Sequence, residues 1–206
     1  MKVQLNTIIP LPLADRDLSQ SEIWGRSLML DLSKKYSVIA ASGTGKTTLL
    51  SILYGLRSDF DGKLIYEGFE SWDQLRRDRL GIVFQELNLL EHLTVLENLS
   101  LKNSLHQFFS QEELDHMMAS LGILDLKHDV VGLLSRGERQ RVAIMRSLCM
   151  PFKFLLLDEP FSHLDTDNTN RAIDLIQRVA DQNKAGLLVA NLFQDSYFQY
   201  DQTFQL

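Results

Sequence analysis

Apolar residues come in short, unbroken blocks separated by longer stretches of helical spacing. YSVIAA (Tyr36 to Ala41), FKFLLLDEP (Phe152 to Pro160) and GLLVAN (Gly186 to Asn191) each carry a run that is largely apolar. Runs of this kind predict strands buried on both faces. KLIYEG and LGIVFQ are shorter strand-like runs. TTLLSILYG, directly after the first block, reads as a helix. NTNRAIDLIQRVADQ sets Ala172, Leu175, Ile176 and Val179 on one face of an amphipathic helix. From about Glu97 through Leu148 the spacing is helical, with polar breaks near Ser110 and Val130–Leu134. The N-terminal MKVQLNTIIPLPLAD carries two prolines, which predicts an edge strand. Strands separated by helices imply a mainly parallel sheet covered on both faces, with a small α-helical subdomain beside it.

Composition narrows the class. A chain of 206 residues, 45% of them hydrophobic, holds one large domain or one domain with a subdomain. A net charge of −6 argues against a dedicated nucleic-acid binder, so no nucleic-acid partner is expected. The single cysteine, Cys149, excludes a disulfide framework and suits a reducing compartment. Its neighbours are apolar and helical, which predicts a buried structural thiol. No apolar run has the length to span a bilayer, and the N-terminus makes a poor signal peptide. A soluble cytoplasmic chain is expected. His92, His106, His116 and His128 lack metal-ligand spacing and read as surface residues. Met117 and Met118 read as helix packing, and Arg76, Arg77 and Arg79 as a solvated face.

The chemistry concentrates in a few stretches. AASGTGKTT, Ala40 to Thr48, follows the phosphate-binding pattern G-x-x-x-x-G-K-[ST], except that Ala40 stands at the first glycine. In such a loop the backbone of Ser42, Gly43, Thr44 and Gly45 turns its N–H groups toward phosphate oxygens, and the following helix N-terminus, entered through Lys46, Thr47 and Thr48, adds positive charge. Lys46 would lie against the β- and γ-phosphates, and the Thr47 hydroxyl would hold Mg²⁺. Ala40 fits provided its φ is negative. An ordinary glycine-rich turn is the bland alternative. FLLLDEP ends a buried strand in two adjacent carboxylates. Asp158 would complete the Mg²⁺ shell and Glu159 would accept a hydrogen bond from an attacking water. An acidic turn after a strand is the alternative there.

LLSRGERQRVAIMRSL, Leu133 to Leu148, resembles the signature motif of the ATP-binding cassette ATPases, usually LSGGQ followed by QRVAIARAL. Leu134, Ser135, Gly137, Gln140, Arg141, Val142, Ala143 and Arg146 match; Arg136 and Glu138 depart. Ser135 and the Gly137 N–H would bond an anion at a helix N-terminus; a simple capping box of Ser135 with Glu138 is the alternative. GIVFQELNLLEHLTVLENL, Gly81 to Leu99, looks like the family's glutamine loop, with Gln85 reaching Mg²⁺ or the attacking water. SHLDTD, Ser162 to Asp167, resembles the loop that crosses the family's dimer interface, with His163 in it. Motif order matches from roughly Ile23 to Leu192.

The resemblance implies a P-loop NTPase core with a mainly parallel sheet, a small antiparallel β region and an inserted α-helical subdomain. It implies one cassette over 1–206, with a RecA-like core at about 1–86 and 152–206 and the helical subdomain at about 87–151. It also implies a homodimer or paired subunit that sandwiches MgATP between one phosphate loop and the other LSRGE motif. Hydrolysis would drive integral membrane permease subunits from the inner face of the cell membrane. LNLLEHLTVLENL looks most like the branch serving lipoprotein release, macrolide-type export and cell division; amino-acid importers share similar stretches. A soluble regulatory cassette and a cassette with little hydrolysis are the competing readings. Two departures stand out. VQLNTIIPLPL lacks the aromatic on which the family stacks adenine, which leaves an aliphatic contact. Asn191 stands where the family carries a histidine, which implies slow intrinsic hydrolysis.

Overall fold

The computed structural model describes residues 1–68 and 71–206. Its centre is a five-stranded, all-parallel sheet. The strands are β3 (Lys35–Ile39), β5 (Leu80–Val83), β6 (Phe154–Asp158), β7 (Gly186–Asn191) and β8 (Gln202–Gln205), in the order β5-β6-β7-β3-β8. The apolar blocks of the sequence are thus its three central strands. Burial on both faces explains their composition. Phe154 and Leu156 of β6 pack into one core with Leu188 and Ala190 of β7, while Leu155, Leu157, Leu187 and Val189 pack into the other. Alternate residues point to opposite faces, so a strand covered twice must be apolar throughout.

One core lies under a three-stranded antiparallel sheet, order β2-β1-β4, made of β1 (Lys2–Pro10), β2 (Ser27–Asp31) and β4 (Phe60–Tyr66). Here the expectation of an N-terminal edge strand fails: β1 is the central strand. Lys2 to Asn6 pair with β2, and Val3 to Pro10 pair with β4. Pro10 lies beyond the part of β1 that has two neighbours, and Pro12 sits in a 3-10 turn, Leu11–Leu13. Neither proline removes an N–H from the doubly paired ladder, so neither forces the strand to an edge.

The other core joins the sheet to the helical insertion between β5 and β6. It comprises α3 (Val95–Asn103), α4 (Gln111–Ser120) and α5 (Arg136–Leu148), with α6 (Thr166–Asn183) closing the far side. The break near Ser110 is a helix start, and the break at Val130–Leu134 contains a 3-10 turn that leads into another; Thr94, Ser110 and Ser135 each head a capping box with a glutamate three residues on. Met117, Met118 and Cys149 are buried. The two remaining helices are α1 (Lys46–Leu53), which runs beneath β6 and β7, and α2 (Trp72–Asp78), which precedes β5.

Candidate functional site

The phosphate-loop segment leaves the end of β3 and enters α1. Ala40 is buried at the strand end, its N–H bonded to the Asn191 carbonyl, and its φ is not positive. The methyl group is therefore accommodated, and the missing glycine does not change the turn. The loop's reversal rests on Gly43 and Gly45, with φ of 78° and 110°. At Gly45 a Cβ would also meet Leu13 at 3.0 Å and the Trp24 ring at 3.2 Å. Gly45 is the N-cap of α1 and supplies no side-chain cap. The first N–H groups of α1 consequently stay available, which is the arrangement an anion requires.

Four side chains converge beyond that loop. The Lys46 amine donates to the Ala40 and Ala41 carbonyls at 2.8 and 3.2 Å and lies 3.2 Å from a Glu159 carboxylate oxygen. The Thr47 hydroxyl donates to Asp158 Oδ2 at 2.6 Å. Asp158 is 1% exposed, and its Oδ1 has no hydrogen-bond partner. Burial raises the Asp158 carboxyl above its ordinary value, the Thr47 bond lowers it, and the neighbouring Glu159 charge raises it further. A buried carboxylate oxygen with nothing to bond demands an explanation, and a hard cation supplies one. One hydroxyl and one carboxylate are the few hard oxygen donors that Mg²⁺ takes from a protein when phosphates and water fill the rest. The site therefore fits Mg²⁺ with a triphosphate. Among the described residues no group of three or more His, Cys, Asp or Glu is poised to hold a metal by itself.

Glu159 occupies the first position after β6 in the left-handed region, φ 46°, with its N–H bonded to the Ala190 carbonyl. A non-glycine residue held there is a strained one, and such strain collects at functional sites. The turn aims its carboxylate at Lys46 across the loop. Gln85, exposed two residues beyond β5, faces the same recess. That recess holds about 190 Å³ and is lined by Ser42, Gly43, Gly45 to Thr48, Gln85 and Glu159. Thr44 faces inward to its own loop, bonding the Ala41 carbonyl.

Pro12 and Leu13 line the recess, and no aromatic does. Trp24 is near, but it is 2% exposed beneath the loop, its indole N–H bonded to the Thr44 carbonyl. Arg16 also clamps the loop by donating to the Gly43 carbonyl. Nothing in PLPLADR announces these contacts, because they join segments about thirty residues apart.

Asn191 ends β7 beside the loop, yet its amide is committed elsewhere. Nδ2 donates to Asp195 at 2.6 Å, and Asp195 also accepts from the Tyr200 hydroxyl and the Tyr197 N–H. Asn191 and Glu159 line a neighbouring pocket of about 180 Å³. Glu159 thus touches both recesses.

Ser135, Gly137 and Glu138 are not brought to the loop within this chain. They start α5, where Ser135 Oγ accepts from the Glu138 N–H at 3.3 Å and Glu138 accepts from the Ser135 N–H at 2.8 Å. The helix is positioned by Gln140, which donates to the Pro160 carbonyl at 2.6 Å, and by Arg141, which reaches Leu121 and Asn168. Leu133, just before the motif, is 85% exposed.

The model of the ABC transporter family matches residues 25–162. The chain is 33% identical over 174 residues to the glutamate/glutamine/aspartate/asparagine transport ATP-binding protein BztD of Rhodobacter capsulatus; the match covers 80% of this chain and 66% of that one. It is 36% identical over 169 residues to the thiamine import ATP-binding protein ThiQ of Shigella flexneri, covering 80% of this chain and 73% of that one. The dimeric structure of the bacterial ABC transporter cassette MJ0796 superposes with a TM-score of 0.77 at 24% identity, over 94% of this chain and 88% of the other, a likeness that shows the fold. An α/β core of this topology, with its loop, paired carboxylates and LSRGE helix in family order, agrees with those matches: the chain belongs to the ABC transporter family, as an ATP-binding subunit.

Proposed function

We propose that the chain binds MgATP between two cassettes arranged head to tail and hydrolyses it to move membrane subunits. The observation that carries this reading is the pairing of an open helix end with a distant signature. Lys46, Thr47, Asp158 and Glu159 converge at one recess, while Ser135 stands exposed and Gly137 half-buried elsewhere, so a second cassette would supply the other wall. The core at about 1–86 and 152–206 carries the first set and the helical subdomain at about 87–151 carries the second.

In this reading the backbone from Ser42 to Thr48 and the Lys46 amine hold the triphosphate. Lys46 exchanges its loop carbonyls for phosphate oxygens, and charge-assisted bonds of that kind are the strong ones. Thr47, Asp158 and Gln85 hold Mg²⁺, which supplies positive charge against the phosphate oxygens. Glu159, released from Lys46, accepts the proton of a water whose oxygen bonds the γ-phosphorus as the bond to the ADP oxygen breaks. Pro12 and Leu13 give the base an apolar rest without an edge to read. The Asn191 amide, engaged by Asp195, is neutral and offers a weaker γ-phosphate contact than a histidine, which makes intrinsic hydrolysis slow.

ThiQ is named for thiamine import and BztD for transport of glutamate, glutamine, aspartate and asparagine, neither for lipoprotein release, macrolide export or cell division. The importer class is therefore favoured over the branch suggested by LNLLEHLTVLENL. Among the described residues no helix is long and apolar enough to cross a membrane. A peripheral place on the cytoplasmic membrane face, bound to a permease, follows from the reading.

The test joins sedimentation to steady-state hydrolysis for the wild type and Asn191→His. MgATP should drive dimerisation of both, and histidine should raise turnover roughly 30-fold or more, the scale of one transition-state donor. A chain that stays monomeric at saturating MgATP sinks the dimer reading; equal turnover sinks the role of Asn191.

A further inference from the structure

Two carbonyls of the phosphate loop are held by side chains that do not line the recess. The Arg16 guanidinium donates to the Gly43 carbonyl at 2.9 Å, and the Trp24 indole N–H donates to the Thr44 carbonyl at 3.3 Å. The two carbonyls belong to successive peptide units. In a planar trans peptide the C=O and the N–H of the next residue point opposite ways. A Thr44 carbonyl fixed toward Trp24 therefore turns the Gly45 N–H away from the indole. A Gly43 carbonyl fixed toward Arg16 does the same to the Thr44 N–H. Among the described residues the Gly45 N–H has no hydrogen-bond partner, and the Thr44 N–H makes only a long bond, 3.4 Å, to the Ala41 carbonyl.

Both donors lie in the segment 14–26 that leads into β2, and its own bonds fix it in place. Ser21 is buried, and its hydroxyl accepts the N–H groups of Ile23 and Trp24 at 3.1 and 2.8 Å. Arg26 ties the same turn by donating to the Ser21 and Ser19 carbonyls. Glu22 exchanges two bonds with Gln205 of β8: its N–H donates to the Gln205 carbonyl at 2.9 Å, and its carboxylate accepts from the Gln205 N–H at 2.7 Å. The Trp24 ring fills the space beneath Gly45, so the indole N–H is held by packing as well as by its bond.

We infer that Trp24 and Arg16 are positioning residues for the nucleotide: they hold two loop peptides in the orientation that presents N–H groups to the α- and β-phosphates. The inference rests on the proposed MgATP reading and adds residues outside the loop to it. A loop fixed before the ligand arrives loses less freedom on binding, so the clamp contributes to affinity and not to the chemical step. Trp24 carries the larger share, because its bond is buried, whereas Arg16 is exposed and water competes for its carbonyl. The held groups face phosphates that ATP and ADP share, so the two nucleotides gain alike. A residue that reads the γ-phosphate would separate them.

The test uses the full chain and titrates ATP and ADP by calorimetry, well below the Tm of each variant. Trp24→Phe keeps an aromatic ring beneath Gly45 and removes the N–H. It should weaken both nucleotides by the same factor, about 10-fold, and raise KM likewise, with kcat within about 2-fold of wild type. Arg16→Met should weaken both about 3-fold, and Arg16→Lys, which keeps a donor, should restore them. In the wild type, the indole N–H resonance that disappears from the NMR spectrum of Trp24→Phe should shift when ADP is added. A Trp24→Phe chain with a lower Tm and unchanged affinity makes Trp24 a packing residue and overturns the inference. So does a loss confined to ATP, or a fall in kcat at constant KM. Should Trp24→Phe not fold, Arg16→Met decides at an exposed position, and wild-type affinity there overturns the clamp. A wild-type chain that binds neither nucleotide refutes the MgATP reading itself.

Discussion

Two helix N-termini in this chain obey the same electrostatics and are finished in opposite ways. α1 begins at Gly45, with no side chain over its first N–H groups. α5 begins at Ser135, and a complete capping box with Glu138 covers its first turn. The first end is open and strained: Glu159 in the left-handed region, Lys46 turned back on loop carbonyls, Asp158 buried with a bare oxygen. The second is closed and self-satisfied. An anion at α1 completes the site, whereas an anion at α5 must contend with the carboxylate already there. In the proposed reading, the difference marks the first end as the one that holds phosphate and the second as the one that would meet it late, when a second cassette arrives.

The largest effect is expected at the open end. Glu159→Gln should lower hydrolysis by about 10²–10⁴-fold, the range of general-base contributions, while ATP binding persists. A stopped-flow phosphate-release assay beside equilibrium ATP titration decides this. Hydrolysis at the wild-type rate would remove Glu159 from the chemistry.

Lys46→Ala should weaken ATP binding about 100-fold, because a nearly buried ammonium that would bond phosphate oxygens is lost. Calorimetric titration with ATP measures it. An unchanged affinity would mean that the α1 end holds the nucleotide by backbone alone.

Asp158→Asn sharpens the comparison through stability. The folded-state pKa of Asp158 is raised above 3.8, chiefly by burial. The folded chain therefore holds that proton more tightly than the unfolded chain, and ionisation costs the fold. The cost is absent below the unfolded value and complete above the raised one. Without nucleotide, Asp158→Asn should stabilise the chain at pH 7, and the gain should vanish as the pH falls below the unfolded value. Urea unfolding across that range tests it; a gain that does not vary with pH would point to packing instead.

The smallest effect is expected at the closed end. Glu138→Gln keeps an acceptor for the Ser135 N–H and removes the negative charge from the α5 terminus. ATP-driven dimerisation should tighten about 2- to 5-fold, the scale of one charge at a helix end. Weaker dimerisation by sedimentation would show that the carboxylate assists closure.

Most of the fold was legible in sequence, for local reasons. Largely apolar runs named the three central strands, the break near Ser110 marked one helix boundary and Ser135 with Glu138 offered one capping box, while the capping boxes at Thr94 and Ser110 emerged only in the structure. Of the site, AASGTGKTT and LDEP were legible because each loop's geometry is set by residues adjacent in the chain. The N-terminal strand was misplaced because proline's effect depends on how many neighbours its part of the strand has, which no local pattern reveals. The contacts of Trp24 and Arg16 with the loop were silent for the same reason.

The sequence by itself determined the three central strands, the helix after AASGTGKTT, the amphipathic helix near Ala172 to Val179, the helical character of the insertion, and which loops can turn toward phosphate. These follow from side-chain periodicity and from hydrogen bonds between residues three apart. Only the tertiary structure decided that Thr47 bonds Asp158 from 111 residues away, that Lys46 meets Glu159, and that Asn191 is tied to Asp195. Such pairings depend on strand order and helix crossing, and burial then gives each charge its energy.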